Sequence, residues 1–200
     1  MSATITALRQ SAGERLVIAL DSGEEIAATV GLAAELRLFA GKTLEEAELD
    51  ELRSSAALAL CKNRALELLS YRPMSARELR DKLVQKGETP DNAAAAADWL
   101  RDRGFLDDAR YAGMVVRHYA GKGYGEGRVR QELRRRGIPG DLWEEALEEL
   151  PESGEKLDAF LASRLKDPED RAQVQKVSAA LLRRGFSWEE IRAALARFRA

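Results

Sequence analysis

Few side chains in this chain could do covalent or proton chemistry. His118 is the only histidine and Cys61 the only cysteine. A histidine can serve as base or ligand, but His118 falls in line with Tyr111, Met114 and Val115 at helical spacing, which is the pattern of a partly buried structural residue. Cys61 sits on an apolar stripe, where a free thiol packs like a small hydrophobe. The two are distant in sequence and no third group joins them, so a thiol nucleophile with its base is not indicated. One cysteine also excludes an intrachain disulfide and a cysteine zinc cluster. The acidic run from Asp141 to Glu155 is expected to be a solvated helix face rather than a metal site.

Two stretches suit binding. Gly121-Lys122-Gly123-Tyr124-Gly125 lacks the order of a phosphate-binding Walker loop and follows no strand. Its glycines suit a tight corner between helices that exposes Lys122 and Tyr124 to a partner. Arg128, Arg130, Arg134, Arg135 and Arg136 then crowd one short segment. On a helix Arg128, Arg135 and Lys122 share one flank, and Arg130 and Arg134 form an i,i+4 pair on another. Arginine grips phosphate and carboxylate through its planar fork. The expected chemistry is therefore non-covalent contact with a nucleic-acid backbone or an acidic protein surface.

The elements that position these residues repeat. Val129-x3-Leu133-x3-Gly137 recurs 48 residues on as Val177-x3-Leu181-x3-Gly185, and occurs 50 residues earlier as Leu79-x3-Leu83-x3-Gly87. A basic residue precedes each glycine (Lys86, Arg136, Arg184) and a second periodic run follows it. A fixed period of this size means one supersecondary unit used three times, stacked so that neighbours bury each other's apolar faces. The expected fold is mainly α: three tandem three-helix repeats forming an elongated right-handed or curved array. They would occupy 55–106, 107–154 and 155–200, behind an N-terminal extension at 1–54.

In that extension, Leu16–Leu20 and Ile26–Val30 flank Asp21-Ser22-Gly23-Glu24, which is hairpin chemistry. Ile5 and Leu8 suggest a third, weaker strand, and 31–39 a helix stopping at Gly41. Thr43-x-x-Glu46, Ser75-x-x-Glu78 and Ser187-x-x-Glu190 have the form of capping boxes and would start helices near 44, 76 and 188. Thr89-Pro90 and Asp107 open two more. Helices are also expected over Glu126–Arg136, Asp141–Leu150, Leu157–Lys166 and from Asp167-Pro168 to Arg184.

Composition agrees. Charged residues make up 33% and aromatics 6%, which disfavours a large all-β domain. No apolar run reaches the roughly 18 residues of a membrane span, and the N-terminus lacks a secretory pattern; a cytoplasmic location and no membrane partner are expected. Net charge is −2, distributed as −5 over 1–61, +6 over 62–136, −7 over 137–155 and +4 over 156–200. Such a surface can meet an anion on one face and a basic partner on another. No cofactor or metal is expected, nor an enzyme.

Longer motifs carry a resemblance. Arg64-Ala65-Leu66-Glu67-Leu68-Leu69-Ser70-Tyr71-Arg72-Pro73 with Ser75-Ala76-Arg77-Glu78-Leu79 resembles the opening motif of the RecX family. Gly104-Phe105-Leu106-Asp107-Asp108-Ala109-Arg110-Tyr111-Ala112 is similar to its central signature. Lys122-Gly123-Tyr124-Gly125 followed by Arg128-Val129-Arg130-Gln131-Glu132-Leu133 resembles its most distinctive segment, and Arg183-Arg184-Gly185-Phe186-Ser187 also fits.

The resemblance covers about 55–200. It implies a bacterial regulator that lies in the groove of the RecA–DNA filament and inhibits its growth, and with it recombination, ATP hydrolysis and SOS-linked activities. Some members of the family also touch DNA, so single- or double-stranded DNA is a second expected partner. Arg72, Arg77, Arg110, Lys122, Tyr124, Arg128, Arg130, Arg134 and Arg135 are the candidate contact residues. The third repeat has no Lys-Gly-Tyr-Gly segment, and 1–54 lies outside the resemblance. A monomer is expected, because a stacked array needs no twofold. A DNA-binding helical module and a helical protein–protein adaptor are the alternatives; scarce amide side chains weigh against sequence-specific base reading.

Overall fold

The computed structural model describes residues 2–11 and 13–199. It is mainly helical and divides into two compact units, Met1–Pro73 with Glu78–Leu106, and Met74–Arg77 with Asp107–Ala200.

The first unit opens with four antiparallel strands in the order β3-β2-β1-β4: β1 Ala3–Gln10, β2 Arg15–Leu20, β3 Glu25–Thr29 and β4 Thr43–Leu44. The β2–β3 hairpin lies where the sequence places it. β1 is not the weak third strand expected. It is the longest strand and sits inside the sheet, paired with β2 on one side and β4 on the other. Its outward residues are polar only in part, which hides the alternation that marks a half-buried strand. A short helix, α1 (Val30–Glu35), follows with Thr29 accepting from the Leu32 N–H at 3.1 Å.

Thr43 does not begin a helix. Its backbone pairs with Thr4, and the helix starts three residues later with the Glu48 carboxylate accepting from the Glu45 N–H at 2.8 Å. A β-branched residue within reach of a free strand edge gains more as a strand than as a cap. That helix, α2 (Glu46–Tyr71), spans 26 residues. Its first half buries Leu49, Leu52 and Ala56 against the sheet. Its second half packs on α4 (Pro90–Asp102), where Ala93, Ala96, Ala97 and Leu100 are buried at helical spacing. α3 (Ala76–Gln85) lies between them in sequence.

The second unit holds two three-helix cores in succession. α5 (Asp108–Gly121), α6 (Glu126–Arg135) and α7 (Trp143–Leu147) enclose Val115, Val116, Val129 and Leu133. α8 (Gly154–Arg164), α9 (Arg171–Arg183) and α10 (Trp188–Arg199) enclose Leu157, Leu161, Leu181 and Ile191. α7 is shorter than expected, because Gly140–Leu142 forms a 3₁₀ turn before it. α9 begins at Arg171 rather than at Pro168: Asp170 accepts from the Ala172 and Gln173 N–H groups and so fixes the start. The Ser187 box forms in both directions, Ser187 N–H to the Glu190 carboxylate and Glu190 N–H to the Ser187 hydroxyl.

The repeated positions do the same work each time. Leu79, Leu83, Val129, Leu133, Val177 and Leu181 are all buried. Gly87, Gly137 and Gly185 have φ of +94°, +67° and +90°. In each turn the next residue's N–H returns to a carbonyl five residues back: Glu88 to Leu83, Ile138 to Leu133, Phe186 to Leu181. This is the Schellman closure, which needs a left-handed residue that glycine adopts without a Cβ penalty.

Candidate docking face

The basic segment folds into α6, and its arginines are not equivalent. Glu132 lies at its centre, 4% exposed. Its carboxylate accepts from Arg135 Nε at 2.9 Å and Nη2 at 2.7 Å, lies 3.1 Å from Arg128 Nη2 and 4.0 Å from Arg136 Nε. Burial alone would push this carboxyl up. Hydrogen bonds from Arg135 and Tyr119, with the charges of Arg135 and Arg128, outweigh it and hold the group below the usual carboxylate range. Arg128 and Arg135 therefore neutralise a buried acid.

Arg130 is also engaged, with Glu126 at 2.6 Å and a fork onto Glu144 at 2.9 and 3.1 Å. Those carboxylates, Glu144 foremost, raise its already high pKa. Glu144 belongs to the acidic run, and Glu149 of that run pairs with Arg117. Among the described residues no group of acids, histidine and cysteine is placed to hold a metal.

Lys122-Gly123-Tyr124-Gly125 is a joint rather than an open loop. Tyr124 is half-buried, its ring centre 5.5 Å from Tyr119 and within 5.8 Å of the Arg184 guanidinium. The Gly125 N–H donates to the Arg184 carbonyl and the Gly127 N–H to the Gly185 carbonyl, both at 2.9 Å. A Cβ on Gly125 would stand 2.6 Å from the Gly185 oxygen, and one on Gly185 would stand 2.1 Å from the Arg128 nitrogen. Backbone meets backbone there, so no side chain fits. The turn at Gly137 is covered within this unit by side chains instead: the Ser75 hydroxyl donates to the Arg136 carbonyl, and Arg77 lies over Gly137.

The remaining candidates divide likewise. Arg72 grips Glu78 through both terminal nitrogens. Arg110, Lys122 and Arg134 are exposed. None of these three forms an ion pair among the described residues; Arg134 lies 5.8 Å from the Trp143 ring. They are the cations available to a partner. Glu132 was missed by sequence reasoning, although its place between Arg128 and Arg135 at i,i+4 and i,i+3 is visible in the spacing.

Cys61 is fully buried, its thiol directed at the Asn92 carbonyl. Burial pushes its pKa up to about 11, which leaves it unreactive. His118 is exposed rather than partly buried, edge-on to Tyr119 at 5.3 Å; the apolar stripe of α5 turns inward one position away from it. No helix among the described residues is long and apolar enough to cross a membrane.

Comparison with known proteins follows the helices. Residues 61–100, 107–147 and 156–195 match the models of the first, second and third three-helix domains of RecX. A regulatory protein RecX from Vibrio vulnificus is 37% identical over 147 residues, covering 72% of this chain and 95% of that protein. Its counterpart from Xanthomonas axonopodis pv. citri is 40% identical over 134 residues, covering 66% and 83%. A crystal structure of regulatory protein RecX superposes with TM-score 0.76 at 25% identity over 96% of this chain and 98% of the other. RecX from Lactobacillus salivarius gives 0.64 at 26% identity, covering 70% and 96%.

Proposed function

This chain belongs to the RecX family, and from that membership we propose that it regulates RecA recombinase by docking along the groove of the RecA–DNA filament. Docked there, it restrains filament growth and lowers ATP hydrolysis and strand exchange. The observation that carries the reading is the contrast within one basic segment. Arg128, Arg130 and Arg135 are tied to acids of the chain itself, whereas Arg110, Lys122 and Arg134 are exposed and form no ion pair among the described residues. Those three cations lie together on the second three-helix unit; units joined in series can meet successive subunits of a polymer, and linked weak contacts gain through effective concentration. Neither Cys61 nor His118 has the partners of a catalytic group, so the role is one of binding.

The test is RecA ATPase on single-stranded DNA with substoichiometric amounts of this protein. Wild type should inhibit. Arg110→Glu, Lys122→Glu and Arg134→Glu together should abolish inhibition with an unchanged helical CD spectrum, since none of the three supports a buried group. Full inhibition by the triple variant would refute the docking face. Binding of wild type to bare DNA with a steep salt slope, without effect on RecA, would favour a DNA-binding module instead.

A further inference from the structure

α6 and α9 hold the same place in successive repeats. Val129 and Leu133 recur as Val177 and Leu181. Arg136, facing the Tyr111 ring at 5.7 Å, recurs as Arg184, facing Phe160 at 5.0 Å. The same register carries Arg128 onto Lys176, Arg135 onto Arg183, and Glu132 onto Ala180. The cations are kept and the carboxylate between them is gone.

A cavity of about 350 Å³ occupies that side of α9. Phe160, Val177 and Ala180 line it together with Arg164, Lys176 and Arg183. All three cations are exposed, and none forms an ion pair among the described residues. The acid at the start of α9, Asp170, is occupied by the Ala172 and Gln173 N–H groups and the Gln173 amide. Three like charges around an apolar floor repel one another, and an incoming anion would relieve that repulsion.

We infer that this cavity is a docking slot for an acidic segment of a partner protein. One glutamate or aspartate of that segment enters between Lys176 and Arg183, as Glu132 lies between Arg128 and Arg135 in α6. An apolar neighbour in the same segment packs on the Phe160 and Ala180 floor of the cavity, beside the Arg164 guanidinium 5.8 Å from the Phe160 ring. The place in α6 is filled by a side-chain carboxylate, and the floor is apolar; a nucleic-acid strand would instead follow a run of cations along a groove. The inference needs no identity for the regulated partner, so it fails or holds separately from the RecA reading.

The experiment uses the full chain and a short fluorescein-labelled peptide of alternating glutamate and leucine, read by fluorescence anisotropy at low salt. Wild type should bind it saturably. Arg183→Gln should weaken binding roughly tenfold, the worth of one charge-assisted hydrogen bond. Ala180→Glu should supply the missing carboxylate from within, abolish peptide binding and raise Tm by about 2–4 °C. Absence of saturable binding, equal affinity for Arg183→Gln, or binding that survives in a folded Ala180→Glu chain would each overturn the slot. Displacement of the peptide by oligothymidylate would reassign it to nucleic acid.

Discussion

The turns at Gly137 and Gly185 are one turn built twice, yet they are closed by different material. Over Gly137 lies the base of the Arg77 side chain, its Cδ 2.6 Å and its Cβ 3.0 Å from where an added Cβ would stand. Over Gly185 lies the backbone of Arg128, with Gly125 and Gly127 thinned so that two main chains can touch. The turn at Gly87 has the same left-handed backbone and nothing within 4 Å of an added Cβ. One repeated geometry therefore hides three levels of constraint: backbone conformation at all three, a side-chain contact at the second, a main-chain contact at the third.

An alanine series breaks or confirms that ranking. Gly185→Ala should cost most, about 2–5 kcal/mol, since left-handed strain of about 1–2 kcal/mol adds to a backbone collision of about 1–3 kcal/mol. Gly137→Ala should cost less, about 1–3 kcal/mol, the same strain plus the displacement of a side chain rather than of main chain. Gly87→Ala should show the strain alone, about 1–2 kcal/mol. Urea unfolding followed by far-UV CD reads all three; equal losses would mean that the backbone contact at Gly185 contributes nothing.

These turns were legible in the sequence because their causes are local. An apolar pair four residues apart, then glycine after another four, states a buried helix face and its left-handed stop. The joint at Gly125 was half legible: the glycines announced a close approach, but not that Gly185, 60 residues on, is what approaches. The two flanks of arginines on α6 were legible, but not which of them the chain's own acids engage. Helical spacing shows which residues share a flank, not which one turns inward, and Glu132 turns inward while Arg128 and Arg135 reach it from the surface. β1 was found but its strength was not, since its stability comes from partners on both edges and not from its own alternation.

The buried acid gives the next comparison, between α6 with its carboxylate and α9 without one. Glu132→Ala should lower stability by about 2 kcal/mol. That is less than the usual penalty for breaking a buried pair, because the Arg135 side chain is 64% exposed and water can solvate it once it is released. Because the folded pKa of Glu132 is depressed, its contribution is complete above the ordinary glutamate value of about 4.3. It is lost as pH falls through the lower folded value. Unfolding midpoints measured from pH 6 downward should therefore fall less steeply in Glu132→Gln than in wild type; parallel curves would show that the ion cluster contributes nothing to the fold.

The smallest effect separates the two helices most cleanly. Arg135 and Arg183 occupy one register position, follow the same apolar pair and precede the same kind of turn. Among the described residues, Arg135 has a carboxylate to hold and Arg183 has none. Arg135→Gln should therefore cost about 0.5–1 kcal/mol, the worth of a largely exposed arginine on a buried acid. Arg183→Gln should leave stability unchanged or raise it slightly, by removing one of three cations that repel each other around the Ala180 cavity. Equal losses at the two positions would mean that Arg183 has an acid partner after all, and that the charge left over in the third repeat is not available to anything outside the chain.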